Sequence, residues 1–493
     1  MSLITEQKEN IQIAMAKGAA WTTILRLSYR LIGVVSTIIL ARLLTPDDFG
    51  VAAIAMSIFA LISTLTQFGF ETVLIQQKKS SAEHYNTAWT YNMFFGLLSA
   101  IILAAASGFV GEFYNKPELS YVALATSVLF ILHGARNVGV VDYQKNMTFH
   151  KEFKLLIVPK VIGFFITIAL AVALRSYWAL VISNLVLKSL EVAMSYTMHS
   201  FRPSISFKKS SDLFGFSRWL FLNNLLIFLN TKSPELALGK VMSPHAAAIF
   251  TLASEISKMA TTEVAASLNR AIYPGYSKAS GDLAMLRSLY IDSIRAIAFI
   301  VLPLGTGIAL VSPFIVPLLL GDQWLEAIMP VVYLALGGSL YALSSNAGYI
   351  YFALGKPKLA TLELFIRAVA FLLSMIYFMS LNGVTGVAQA FLFTSIFALI
   401  VSNMILKLEL RIPLISLFAL YARPLSASLV MVASVSGYIH YVLIGHVAFD
   451  LLMSIFVGVV SYVLSVLTIW KLVGKEGDVE NKIARLAMDK LLR

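Results

Sequence analysis

The chain has 493 residues, a formal net charge of +12, 58% apolar and only 13% charged residues, and a mean hydropathy of +0.81. So little charge excludes an ordinary soluble domain, and the absence of cysteine excludes a disulfide framework, Cys-ligated zinc and a thiol nucleophile. The positive charge gathers in alternate loops between apolar runs, which is the habit of a membrane protein rather than a nucleic-acid binder.

Residues 1–20 mix Ile4, Ile11, Ile13 and Met15 with Lys8, Glu9 and Lys17. That pattern predicts a short interfacial helix rather than a cleavable signal, because the apolar run from Trp21 has full span length. About fourteen spans follow, the first six near 21–44, 49–75, 89–110, 119–141, 153–174 and 177–197. The next six lie near 213–231, 246–270, 292–320, 327–354, 359–381 and 384–406, and the last two at roughly 424–443 and 449–472. The ninth carries Pro303, Gly305, Gly307, Pro313 and Pro317 and is expected to be kinked and partly irregular. With the N-terminus inside, roughly 26 Lys and Arg fall on the inner side and about five outside (Arg42, Lys116, Arg175, Lys232 and Lys240).

The stretch Ala41-Arg-Leu-Leu-Thr-Pro-Asp-Asp-Phe-Gly50, continuing to Ala55, has an echo from Gly239 to Ala253. Lys240 stands for Arg42, Ser243 for Thr45 and Pro244 for Pro46, at a spacing of about 198 residues. A weaker echo sets Gly111, Glu112 and Tyr114 against Gly321, Asp322 and Trp324. Both strong turns fall on the outer face in the proposed topology. The expected fold is therefore an all-α polytopic membrane protein of about 14 helices, N-in and C-in, built as two parallel six-helix lobes plus two C-terminal helices. The divisions are roughly 1–20 interfacial segment, 21–200 N-lobe, 201–410 C-lobe, 411–472 the two added spans, and 473–493 a cytosolic amphipathic tail.

Ionisable side chains within a span cost a few kcal/mol and face water or a partner. The first half carries Arg26, Arg30, Glu71, Arg136, Lys160, Lys188 and Glu191, and the second Glu255, Lys258, Glu263, Arg295, Glu363 and Arg367. Spacing allows internal pairs at Lys188–Glu191, Glu255–Lys258 and Glu363–Arg367. The first half still keeps a surplus of cations: Arg26, Arg30, Arg136, Lys160 and Lys188 against two carboxylates. Arg30 lies about 13 Å into its span, too deep for easy snorkelling. The surplus is expected to face a central cavity open to the cytosol and to receive an anion. Asp47-Asp48 reads as ordinary turn chemistry after Pro46, and no His has a metal-ligand spacing partner. No phosphate-binding loop and no nucleophile elbow occurs, so neither ATP-driven transport nor hydrolase chemistry is expected.

The stretch from Ala41 to Gly50 resembles the bacterial oligosaccharide flippases of the Wzx type, in the superfamily that includes MATE exporters and the lipid II flippase. So do Phe68-Gly69 with Leu74-Ile75-Gln76, Gly239 to Ala253, Tyr273-Pro-Gly-Tyr-Ser277, Leu302-Pro-Leu304 and Gly321-Asp-Gln-Trp324. The pieces are individually loose, but their order covers both halves. The resemblance implies a non-enzymatic transporter of the bacterial inner membrane. It would move undecaprenyl-diphosphate-linked oligosaccharide units outward by alternating access, two lobes rocking around a cationic cavity. Its other implied partners are membrane lipid and the polymerase and export proteins that take the product. No cofactor is implied; H+ or Na+ coupling stays open, with Glu255, Glu263 and Glu191 as candidate sites. Relatives keep basic residues in the first span, which Arg26 and Arg30 match, but many carry an Asp where this chain has Pro234, with Glu235 alongside. Competing readings are a MATE-like exporter of cations, whose cavity would be acidic, a multi-pass envelope enzyme, which would need a substantial outer loop, and a non-transporting scaffold.

Overall fold

The computed structural model describes the backbone of residues 2–66, 69–76 and 80–473, and within these the side chains of all but 2–20, 22, 23, 76, 212–221, 260 and 473. The side chains of the expected interfacial segment and the tail from Gly474 onward thus lie outside the described residues. Among the described residues the protein is all-helical, and eleven helices are long and apolar enough to cross a membrane. The chain divides into two compact units, Met1–Ala248 and Ile249–Arg493.

The first unit opens with α1 (Ser2–Leu43) and α2 (Pro46–Thr66). The turn between them is a capping box: the Thr45 hydroxyl donates to Asp48 Oδ2 at 2.6 Å, and Asp48 N–H donates to Thr45 Oγ1 at 3.3 Å. Pro46 takes the first helical position, where its missing N–H costs nothing. Asp48 Oδ1 also accepts the Tyr177 N–H at 2.9 Å, so the turn anchors a second connection.

Next come α3 (Phe70–Gln76), α4 (Ala82–Tyr114), α5 (Pro117–Ala135), the short α6 (Asp142–Lys145), α7 (Phe149–Leu174), α8 (Trp178–Met198), α9 (Ser210–Thr231) and α10 (Ser233–Val241). The second expected span is broken: Gly69 takes φ 69, a left-handed conformation that suits glycine and that starts a separate α3. α1 lies along α7, with Trp21 on Phe153 at a ring distance of 5.2 Å. α7 then packs on α8, α8 on α5, and α5 on both α2 and α4.

The strong echo is structural. Ser243 caps α11 (Pro244–Ala260) by accepting the Ala246 N–H at 3.2 Å, as Thr45 caps α2, and Pro244 again opens the helix. The two motifs also touch. A Cβ on Gly50 would stand 1.9 Å from the Pro244 carbonyl oxygen, and one on Gly239 would stand 2.4 Å from Ile54 Cδ1. The weaker echo does not share a backbone form: Asn115 (φ 53) ends α4 after a helical Gly111, whereas Gly321 itself takes φ 102.

The second unit continues with α12 (Thr262–Lys278), α13 (Leu283–Leu319), α14 (Ile328–Ala353), α15 (Pro357–Leu410), α16 (Leu414–Tyr441) and α17 (Val447–Val473). Tyr276, Tyr290 and Tyr351 are buried at its core among Leu286, Ile294 and Ile350. α15 is two legs. Gly383 (φ 55, ψ −127) reverses the chain, and Ser374–Thr394 at 3.1 Å and Ser402–Glu363 at 2.6 Å show the legs antiparallel.

The irregularity expected of the ninth span is absent, since α13 stays helical past all three prolines. The carbonyl that Pro303 strips of its helical donor, Phe299 O, accepts the Tyr462 hydroxyl of α17 at 2.9 Å. Ala309 O, freed by Pro313, takes the Ser312 hydroxyl at 2.9 Å. Side chains replace the lost backbone bonds, so the helix need not open.

Candidate anion-binding site

Four helices of the first unit bring the deep charges together. α1 carries Arg26, Tyr29 and Arg30 within two turns, with Arg26 exposed and Arg30 half-buried in contact with its surroundings. Lys160 of α7 sets its ammonium over the Tyr29 ring, 4.6 Å from the centroid, a cation–π contact that aims the charge without neutralising it. α7 and α8 pack tightly at Gly163, where a Cβ would sit 3.1 Å from Leu187 Cδ1, so Lys188 follows closely. Lys188 Nζ bonds Glu191 Oε2 at 2.7 Å. Glu191 is the buried member, 8% exposed, and its charge also reaches Lys160, Tyr29 and His133.

The end of α5 is pinned to α8. Asn137 N–H donates to Ser195 Oγ at 3.0 Å, and Tyr196 OH to Ala135 O at 2.9 Å. This holds His133 where the charges of both Lys188 and Glu191 reach it. Arg136, expected inside a span, instead caps the C-terminus of α5, where the helix dipole favours a cation. It faces Glu71 of α3 at 3.9 Å, a distance at which the attraction is partial. At 1.5 Å per residue, Lys188 lies about 15 Å and Lys160 about 16 Å from the nearer helix end, level with the depth expected for Arg30.

The structure therefore gathers Lys160, Lys188 and Glu191, while Arg136 pairs with Glu71 at the end of α5; Lys188 and Glu71 keep 37% and 42% of their side chains exposed. Sequence reasoning missed Tyr29, whose signal was its place between Arg26 and Arg30, and His133, which no spacing rule singles out. It also missed Glu235, 4% exposed, which accepts the Ser57 hydroxyl and two bonds from Lys232 Nζ at 2.8 Å.

The carboxylates considered for ion coupling in the second unit lie apart from this cluster in sequence and element. Glu255 is half-buried on α11, and Glu263 is exposed in the first turn of α12, where the dipole favours a carboxylate. The expected Glu363–Arg367 pair is not a direct bond: Glu363 takes the Ser402 hydroxyl at 2.6 Å and Arg367 stacks 4.4 Å from the Tyr341 centroid, although the Arg367 charge still reaches the carboxylate. Among the described residues no group of three or more His, Asp or Glu could hold a metal ion.

The chain is 23% identical over 400 residues to the lipopolysaccharide biosynthesis protein WzxC of Escherichia coli (strain K12), covering 79% of this chain and 80% of that one. It is 22% identical over 347 residues to the teichuronic acid biosynthesis protein TuaB of Bacillus subtilis (strain 168), covering 70% and 72%. Among solved structures it superposes on the lipid II flippase MurJ in an inward closed conformation with a TM-score of 0.74 at 16% identity, over 92% of this chain and 99% of that one. An inward-facing MATE-family transporter of the MOP superfamily gives 0.61 at 15% identity, over 79% and 98%. The fold is thus that of the MurJ and MATE transporters. Residues 39–329 match the family model described as polysaccharide biosynthesis protein, and the chain belongs to that family.

Proposed function

We propose that this protein is a flippase that carries undecaprenyl-diphosphate-linked oligosaccharide repeat units from the cytosolic to the outer leaflet of the bacterial inner membrane. It would deliver them to polymerase and export proteins. The observation that carries the proposal is the excess of positive charge in the first unit, five cations against two carboxylates along its apolar helices, with Lys188 on Glu191 and Lys160 over Tyr29 beside them. A diphosphate of about two negative charges, with a hydrated sugar attached, cannot enter hydrocarbon unaided. A cationic, water-reached face accepts that head while the polyprenyl tail stays in lipid. Arg26, Arg30, Arg136, Lys160 and Lys188 are the proposed contacts.

Alternating access from an N-in, C-in topology of fourteen passes completes the mechanism, counting the two legs of α15 separately and adding α9 and the α11–α12 segment to the eleven span-length helices. Moving two negative charges outward gains about 4–5 kcal/mol per 100 mV of inside-negative potential, if no counter-charge travels with them. Ion coupling is therefore not required. A MATE-like exporter of cations shares the fold, but a surplus of positive charge repels such a cargo.

The test is deletion of the gene followed by identification of the lipid-linked species that accumulates. Complete, unpolymerised repeat units held on the cytosolic leaflet support flipping. Normal polymer with no accumulated intermediate rejects it.

A further inference from the structure

Glu191 occupies the place an anion would take. It is the most buried charge of the cluster, yet it is held by the cations assigned to the substrate: Lys188 directly at 2.7 Å, and Lys160 through space. The facing groups are Tyr29 of α1, His133 of α5, Lys160 of α7 and Lys188 of its own helix. Burying a carboxylate costs several kcal/mol unless cations compensate it, and here they do. A carboxylate oxygen and a phosphate oxygen make the same demand on a lysine, an acceptor for a compact, rotatable ammonium. Lys188 is 37% exposed on a flexible stem and can turn from one acceptor to the other, whereas Lys160 stays aimed over Tyr29.

We propose that Glu191 is an internal stand-in for the phosphate. It holds the cluster together when no cargo is bound, yields Lys188 to the diphosphate head on loading, and reclaims it on release. Glu191 thereby sets the affinity low enough for the head to leave. This rests on the diphosphate reading given above. A transporter that grips both its loaded states tightly turns over slowly, because release becomes the barrier. A competing carboxylate at the site speeds release without any additional moving part.

The test uses the full-length protein in nanodiscs, with inorganic pyrophosphate and farnesyl diphosphate as probes. Glu191→Gln keeps the shape and removes the competing charge. It is expected to bind both probes about tenfold more tightly, equivalent to about 1.4 kcal/mol, and to flip a diphosphate lipid more slowly in proteoliposomes. Lys188→Gln is expected to weaken binding and to erase the gain from Glu191→Gln in the double variant. Glu191→Asp, which keeps the buried charge and so protects folding, is expected to fall between wild type and Glu191→Gln. A folded Glu191→Gln protein with unchanged or weaker binding, or with a lowered melting temperature as its only effect, overturns the proposal and leaves the diphosphate reading standing. Failure of the wild type to bind either probe removes the diphosphate reading and this proposal with it.

Discussion

Gly50→Ala tests whether the two echoing turns are held by backbone contact. The added Cβ would stand 1.9, 2.2 and 2.8 Å from the O, C and Cα of Pro244. Ordinary contact begins near 3.4 Å, so the two helix starts must separate by about 1.5 Å, and backbone cannot rotate aside as a side chain does. Overpacking of this kind costs about 1–3 kcal/mol, against which alanine recovers about 1 kcal/mol of helix propensity. Gly33→Ala is the control, because nothing lies within 4 Å of its Cβ and only the propensity gain applies. The two variants should therefore differ by about 1–3 kcal/mol, with Gly50→Ala the less stable. Gly239→Ala should fall between them, since its Cβ meets the rotatable end of Ile54. Denaturation of the detergent-purified protein, followed by tryptophan fluorescence, measures the difference. A Gly50→Ala protein as stable as Gly33→Ala would refute the packing of one turn on the other.

Arg30→Glu should abolish transport while leaving a folded protein. Loss of one charge-assisted bond to the head is worth about 2–3 kcal/mol, or roughly 30- to 150-fold in affinity; full transport by this variant counts against the cationic site. Tyr462→Phe should destabilise by about 1–3 kcal/mol by orphaning the Phe299 carbonyl. The loss should shrink in a Pro303→Ala background, where a backbone N–H returns to that carbonyl, and additive losses in the double-mutant cycle would contradict the assignment. Asp48→Ala removes the acceptor for Thr45 and for the Tyr177 N–H and should cost about 1–2 kcal/mol in the same unfolding assay; no measurable change would show the capping box to be dispensable.

The order and character of the helices were legible along the chain because bilayer thickness, helical rise and capping chemistry are local. Thr45-Pro46-Asp47-Asp48 states its own cap, Ser243-Pro244 repeats it, and Asn382-Gly383 marks the turn between two spans. That Lys160 and Lys188 lie within long helices, well away from their ends, was legible from the apolar runs that carry them. Periodicity also put Lys188 and Glu191 on one face, and they do pair.

Partners from different helices were not legible, because they depend on how helix faces meet. Arg136 finds Glu71, Ser57 finds Glu235, and the Phe299 carbonyl finds Tyr462, each across a separation that no spacing rule spans. Glu363 and Arg367 had the right spacing to pair, yet packing offered Ser402 to one and the Tyr341 ring to the other. Prolines that spoke for an irregular span stand in an unbroken helix because the distant Tyr462 hydroxyl supplies the donor missing at Phe299 and the neighbouring Ser312 the one missing at Ala309. Sequence by itself determined which long apolar helices carry Lys160, Lys188 and Glu191, whereas Arg136, expected inside a span, proved to cap a helix end. Tertiary structure decided which of them meet, since side-chain contact is set by helix packing and not by position along one helix.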